Sequence, residues 1–248
     1  MKKFLMLLCA CLALSFNAIS LAKVPTENLK YSVENQGVNV KGVNAIGNYA
    51  YIKLEKAAGY PKLNEALNVY VGDLENRIYD DLTETKNQIS QGKKADIEKS
   101  MGHFESVIEV TRADNLVFSF QEQSLVWIDN YVPNIDIKYF NYDTQTGTLL
   151  NHNNVFKNES AVADLVAKTF TANNPEVKLP MEAKAYFGKR LSEEGYCFTG
   201  IGLKVILGND MGIPVSVEIP YAQLVEYVKS DYVPLQVMNE RRQKISNI

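Results

Sequence analysis

The chain has 248 residues, 26 of them basic and 29 acidic, and a formal net charge of −3. A mildly acidic chain with no basic patch is a poor partner for nucleic acid, so we expect no nucleic-acid binding. Hydrophobic residues make up 46% of the sequence, which is enough apolar surface for one large domain or two small lobes.

The first 22 residues are typical of a secretory signal peptide. Lys2 and Lys3 precede an apolar run over residues 4–16, and Ser20 and Ala22 are small residues three and one before a cut. The run is too short to span a bilayer, which takes about 20 apolar residues, and no later stretch is long enough. We therefore expect an exported protein, periplasmic or extracellular, with no transmembrane segment after cleavage following Ala22.

Removing residues 1–22 changes both the charge and the cysteine count. It takes away two of the 26 basic residues and none of the 29 acidic ones, so the net charge moves from −3 to −5. Of the three cysteines only Cys197 stays, and a lone thiol in an apolar stretch is typical of a buried structural residue. Acylation of Cys11, which would anchor the protein to lipid, is the alternative to simple cleavage.

The first third of the mature chain predicts strand and helix. Residues 23–41 are polar and typical of a tether with an edge strand at its end, and residues 49–54 predict a strand. After the turn at residues 59–61 comes the clearest helix, whose apolar residues recur at helical spacing. We expect these side chains to pack against a sheet: Leu63, Leu67, Val71, Leu74, Ile78, Leu82 and Ile89.

The centre of the chain predicts an antiparallel meander. Residues 104–111, 115–128 and 135–142 alternate apolar and polar side chains, as half-buried strands do. A turn follows from Asp143 to Gly147, because an Asp side chain bonds the backbone two residues on and Gly accepts a positive φ. We expect a β-hairpin around this turn.

The last third predicts helix, strands and helix. Asn158 caps a helix over residues 161–172, a mixed segment continues to Leu191, and Pro220 opens a final helix from Tyr221 to Lys229. Short strands are predicted at residues 196–198, 202–207 and 215–219. The order is typical of an α+β fold, with an antiparallel meander packed against a long N-terminal-lobe helix and two shorter C-terminal-lobe helices. We place the lobes at residues 23–130 and 131–248.

The sequence carries no known catalytic motif. It has no metalloprotease helix motif, no serine nucleophile elbow and no phosphate-binding glycine loop. His103 lies beside Gly102 in a predicted connection, and no spacing joins His152 with Asp136 or Asp143 into a three-ligand metal set. We expect no metal and no cofactor. An enzyme of wall glycans, built from dispersed carboxylates with or without His152, is the alternative.

Aromatic residues are concentrated along the meander and supply the candidate binding surface. Strand neighbours alternate faces, so some of these rings fill the core while others face outward. An outward Tyr or Trp is a rigid anchor for a protein or a sugar ring. The predicted binding residues, including three in the loop after residue 206, are Trp127, Tyr139, Tyr142, Asn209, Asp210 and Met211.

Four motifs between about Tyr49 and Leu235 resemble one bacterial module. They are Tyr60 to Asn64 at the start of the long helix, Phe118 to Phe120 in a strand, Asn141 to Gly147 with Val155-Phe156 downstream, and Val217 to Leu224 with Ile-Pro-Tyr at its centre. The chain is similar to the paired extracytoplasmic domains of unknown function found in lysozyme-sensing anti-sigma factors and beside peptidoglycan deacetylase domains.

The resemblance implies an exported α+β module of two packed lobes that works at the cell wall and is not itself catalytic. The sensing relatives contact their partner through a Pro- and Tyr-rich loop, whereas the shorter loop at residues 207–214 has no aromatic residue. The expected function is a binding module that recognises a protein such as a muramidase (lysozyme), or a peptidoglycan fragment. A structural or assembly role in the envelope is the alternative.

Overall fold

The computed structural model describes residues 28–40, 44–90, 100–128, 134–179, 181–206 and 216–246. The proposed signal peptide with Cys11, and the loop residues Asn209, Asp210 and Met211, lie outside these ranges. The described part has the predicted α+β fold, with one five-stranded and one three-stranded sheet. None of its helices is both long and apolar enough to cross a bilayer.

The first sheet has its strands in the order β1-β2-β3-β4-β5. Neighbours are antiparallel except β2 and β3, which pair in parallel over residues 45–48 and 102–105. A parallel pair needs a crossover connection, and two helices supply it here. The predicted meander is confirmed for β3, β4 and β5. The strands are β1 Tyr31–Val40, β2 Ala45–Leu54, β3 Gly102–Ala113, β4 Val117–Ile128 and β5 Asn134–Asp143.

The crossover consists of α1 Pro61–Gly72 and α2 Leu74–Ser90, which cover one face of this sheet. The sequence predicts one continuous helix, whereas the structure divides it at Asp73, directly after the poor helix former Gly72. The predicted apolar face is buried over most of its length: Leu63, Leu67, Leu74, Ile78 and Leu82 are at most 2% exposed. They pack against inward side chains of the sheet that include Phe104, Phe118, Phe120 and Val126.

The second sheet is antiparallel and consists of β6 Tyr196–Phe198, β7 Gly202–Ile206 and β8 Ser216–Pro220. Around it lie the single-turn helix α3 His152–Val155, α4 Glu159–Asn173, α5 Ala183–Ser192, the single turn α6 Tyr221–Leu224, and α7 Leu235–Ser246. The three strands and the cap are confirmed, since Asn158 Oδ1 accepts from the Ala161 N–H at 3.0 Å.

Three helices of this half differ from the prediction. Helix α5 lies within the segment for which the sequence predicts no single helix or strand, and the sequence analysis predicts no helix at the position of α7. The predicted helix to Lys229 is wrong in length, because it ends at Leu224. The chain turns there to pair with residues 155–157: the N–H of Lys229 donates to Val155 O at 3.0 Å, and Val228 forms a β-bridge with Phe156.

Strand β6 packs across one end of the first sheet, on the side away from α1 and α2. We call this contact the seam; it consists of Thr111, Asn141, Tyr196 and Phe198. Thr111 Oγ1 donates to Phe198 O at 2.7 Å, Asn141 Nδ2 donates to Tyr196 O at 3.1 Å, and the Phe198 N–H donates to Asn141 Oδ1 at 3.0 Å. The proposed lobe boundary falls at residues 129–133, outside the described ranges, and β5 on its far side pairs with β4. The division into lobes stays a prediction.

Candidate binding face

The side of the first sheet opposite α1 and α2 is uncovered beyond the seam within the described part of the chain. On β3 and β4, residues alternate between buried positions under the helices and positions that face this side. Ser119 faces the seam, and Trp127 lies eight residues further along β4, roughly 27 Å away. We define the open face by its side chains Ile46, Asn48, His103, Glu105, Val107, Leu125, Trp127 and Ile135.

His103 and Trp127 form a stacked pair at the far end of the open face. They are cross-strand partners in the β3–β4 register, and their rings lie 5.0 Å apart between centroids with 10° between planes. Both side chains are half-buried. The sequence analysis placed His103 in a connection, which is wrong, because β3 begins at Gly102. Stacking on His103 restricts the orientation of the Trp127 ring.

A shallow pocket of about 360 Å³ lies beside this pair, above the parallel β2–β3 contact. Gly47 permits the close approach of the two strands, since a Cβ there would lie 2.0 Å from Phe104 O. We call this cavity the Trp127 pocket; it is lined by Ile46, Gly47, Asn48, His103, Phe104, Glu105 and Trp127.

The polar groups of the Trp127 pocket are unused inside the described structure. The side chains of Asn48 and Glu105 are exposed, and neither forms a hydrogen bond or ion pair with a described residue. Among the described residues that line the pocket, Glu105 is the only acidic one and none is Lys or Arg. The pocket therefore offers a free carboxylate, a free carboxamide and an aromatic pair to a ligand.

Aliphatic side chains surround the pocket and continue across the sheet. Ile46 is 46% exposed, Val107 52% and Ile135 36%, and Ile135 lies opposite Leu125 in the β4–β5 register. Single exposed aliphatic residues are ordinary on a protein surface. Several that share one sheet face with a Trp form the kind of patch that marks an interaction site.

The structure separates the aromatic residues that the sequence proposed for binding. Tyr139 lies on the same side of the sheet as Trp127 but opposite Gln121, roughly 20 Å along β4 and towards the seam. It is half-buried, and burial raises the pKa of its hydroxyl. Tyr142 faces the helices, is 6% exposed and stacks on Phe120, and burial raises its pKa to about 12. Trp127 alone of the three lies at the pocket.

His152 and the two carboxylates considered with it, those of Asp136 and Asp143, do not converge. His152 Nδ1 lies 2.9 Å from Glu194 Oε1, which also accepts the backbone N–H of His152 at 3.1 Å. Asp136 pairs with Lys138 at 3.3 Å, and Asp143 Oδ1 accepts the N–H groups of the turn that it opens. Within the described ranges, no three His, Cys, Asp or Glu residues are grouped so that they could hold a metal ion.

Comparison with solved structures relates this fold to one group of proteins. A DUF3298 family protein from Pseudomonas aeruginosa PAO1 matches 84% of this chain and 98% of its own length, with a TM-score of 0.51 and 10% identity. A DUF3298 member from Bacteroides fragilis NCTC 9343 matches 84% of this chain and 96% of its own, with a TM-score of 0.45 and 15% identity. No family model and no curated protein matches the sequence.

At 10% identity, the similarity to the Pseudomonas structure shows the fold alone. The fold is shared with a protein of an uncharacterised family, which agrees with the domain-of-unknown-function part of the resemblance.

The sequence analysis predicts Trp127 as a binding residue but does not include its neighbours in the pocket. His103 and Glu105 alternate with Phe104, a pattern that predicts a common strand face once the strand is extended by two residues. Asn48 and Ile46 gave no such signal, because their position beside His103 depends on the parallel pairing of β2 with β3. The chain between these two strands contains α1 and α2, so no local pattern records the pairing.

Proposed function

We propose that this chain is an exported, non-catalytic binding module of the bacterial cell envelope, and that it holds a partner protein on the open face. The observation that carries the proposal is the Trp127 pocket, with its unused polar groups, at one end of a sheet face that carries exposed aliphatic side chains. Protein interfaces combine an aromatic anchor, an apolar core and a polar rim in this way. In the described residues His152 meets one carboxylate, that of Glu194 at 2.9 Å, and no group of three such side chains is found, which favours holding over catalysis.

The proposed partner class is a muramidase such as lysozyme, which the resemblance implies. A wall glycan is the second candidate, favoured by one observation: a half-buried Trp beside a free carboxamide is also suited to stacking and hydrogen-bonding a sugar ring. The three exposed aliphatic residues favour the protein, because a sugar would leave Val107 and Ile135 uncovered.

Export is supported by residues 1–22 alone and has its own test. Expression of the full chain in a bacterial host should give a mature protein that begins at Lys23 and fractionates outside the cytoplasm. Intact-mass analysis distinguishes this form from one acylated at Cys11. Retention of an uncleaved chain in the cytoplasm would contradict the proposed location in the cell envelope.

Binding is tested with the mature protein against immobilised lysozyme and against soluble muropeptides, by calorimetry or interferometry. Trp127→Ala should weaken binding of the true partner at least about tenfold, as loss of an aromatic anchor does. Tyr79→Ala is the matched control, because Tyr79 is an exposed aromatic residue on α2 and therefore on the other side of the sheet. Equal affinity of both variants and of the parent protein would place the contact elsewhere.

A further inference from the structure

We infer that the Trp127 pocket receives an arginine side chain of the partner protein. This inference rests on the proposed function and names the chemical group that the site takes. Three properties of the pocket favour an arginine: its charge, its unpaired acceptors and its aromatic pair.

The charge of the pocket lining favours a cationic ligand. The lining contains the carboxylate of Glu105 and no Lys or Arg, and no described side chain neutralises this carboxylate. The next carboxylate on the same face of β3, that of Glu109, accepts a hydrogen bond from Gln121 Nε2 at 2.7 Å. A phosphate or carboxylate ligand would meet repulsion here, whereas a cation would gain a charge-assisted hydrogen bond.

The acceptors and the ring select arginine among cations. A guanidinium is planar, stacks on aromatic rings and presents five N–H donors as a fork, so it can meet Glu105, Asn48 and a ring at once. Trp is the strongest aromatic partner for a cation, and the interaction requires the charge within about 6 Å of the ring. A lysine ammonium is a strongly hydrated point charge and would use fewer of these groups.

Trp127 is the only tryptophan of the chain, so its fluorescence reports directly on this pocket. The probe is Nα-acetyl-arginine amide, whose side chain carries its only charge, and the matched probe is Nα-acetyl-citrulline amide, which is neutral and nearly isosteric. We expect the arginine compound to change the Trp127 emission saturably, with a dissociation constant on the order of 1 to 10 mM for a single side chain. The citrulline compound should give no saturable change.

Variants of the whole mature protein locate the effect. Glu105→Gln should weaken the arginine response at least about threefold, as expected for an exposed charge-assisted contact. Glu109→Gln is the control on the same strand and face, and its response should equal that of the parent protein. Nα-acetyl-lysine amide should bind more weakly than the arginine compound.

Three results would overturn the inference: equal responses to arginine and citrulline, an unchanged response in Glu105→Gln, or a saturable response to chitotriose in place of arginine. Failure of the proposed function gives a different pattern. In that case arginine would still bind in a Glu105-dependent way, while no envelope protein would bind in a Trp127-dependent way.

Discussion

Arg112 donates a hydrogen bond from Nη1 to the hydroxyl of Tyr221, and this hydroxyl donates to Thr199 O at 2.9 Å. Arg112 lies at the bulge of β3, whereas Tyr221 opens α6 in the other half of the chain. The guanidinium also donates from Nε to Asp114 at 2.7 Å and from Nη1 to Tyr232 O at 2.7 Å. Arg112 is only 4% exposed, and its buried charge is stabilised because Asp114 pairs with it and Tyr221 and Tyr232 accept its hydrogen bonds.

This contact gives the Ile-Pro-Tyr motif a structural reason. Pro220 is the last residue of β8. Tyr221, the next residue, places its hydroxyl between the buried guanidinium of Arg112 and the carbonyl of Thr199 in the β6–β7 connection. Tyr221→Phe should therefore lower the free energy of unfolding by about 1 to 3 kcal/mol, since both hydrogen bonds are lost and one donor stays buried. Urea denaturation of the mature protein measures the change.

Tyr79→Phe is the control for this substitution, because Tyr79 is exposed on α2 and no hydrogen bond of its hydroxyl exists within the described structure. It should change the stability by less than about 0.5 kcal/mol. If both tyrosines lost the same small amount, the Arg112–Tyr221 bond would contribute nothing net to the fold.

Asn141 links the two sheets at the seam. Its Oδ1 accepts from Ser119 Oγ at 2.8 Å and from the Phe198 N–H at 3.0 Å, and its Nδ2 donates to Tyr196 O at 3.1 Å. Asn141→Asp is nearly isosteric but cannot donate, so it would place a carboxylate against a carbonyl oxygen in a buried position. We expect a loss of about 2 to 4 kcal/mol at pH 7.

Asn154→Asp provides the comparison, because the Oδ1 of this half-buried residue accepts the backbone N–H of Asn151 at 2.8 Å, a contact that an Asp keeps. Melting temperatures at pH 7 should fall clearly for the Asn141 variant and little for the Asn154 variant. Equal melting temperatures for the Asn141 variant and the parent protein would show that the seam adapts to the new group.

Local patterns were sufficient for the elements but not for their assembly. The apolar spacing of Leu63 to Leu82 and the cap at Asn158 predicted helices that the structure contains. The parallel β2–β3 pair and the seam could not be predicted, because they join residues 55 to 87 positions apart, such as Asn141 with Tyr196 and Thr111 with Phe198. No local period encodes such pairings.

The candidate site, like the fold, could be predicted from the sequence only in part. Trp127 was predicted as a binding residue because aromatic density is visible in a sequence, but so was Tyr142, whose ring lies in the core beside Phe120. Alternation alone assigns Tyr139 and Tyr142 to opposite faces without saying which face carries the helices. The bulge between Val110 and Arg112 then shifts the register that brings His103 beside Trp127.

Gly147 is a further test of the hairpin. Its φ is +67°, and a Cβ at this position would lie 2.3 Å from Lys62 O, at the start of α1. Gly147→Ala should cost more than about 1 kcal/mol of stability, because backbone strain adds to a clash with a carbonyl that cannot easily move. Gly72→Ala, at a helical position with no atom within 4 Å of the added Cβ, should be neutral or slightly stabilising.

Denaturant midpoints of both glycine variants give the comparison directly. A neutral Gly147→Ala would mean that the turn can move away from α1 without loss, and that the Asn141 to Gly147 motif is not fixed by packing against the helix.

Cys197 makes the stability depend on pH in a window of its own. The thiol is buried in β6, and burial raises its pKa from 9.0 to about 12. The unfolded chain releases this proton near pH 9 while the folded chain keeps it, so the contribution is fully present below pH 9 and is lost as pH rises towards 12. Between pH 9 and 10 the free energy of unfolding should fall by about 1 kcal/mol from this group alone.

Cys197→Ala removes the thiol, so the fall in the free energy of unfolding between pH 9 and 10 should be about 1 kcal/mol smaller in this variant than in the parent protein. This difference does not depend on the effect of the substitution at pH 7. Several buried tyrosines, including Tyr142, also have raised pKa values, and they lower the stability of both proteins mainly above pH 10. Urea titrations at half-unit pH steps, under reducing conditions, compare the two slopes. Parallel curves would mean that the thiol ionises in the folded protein near its ordinary pKa, and hence that water reaches β6 at the seam.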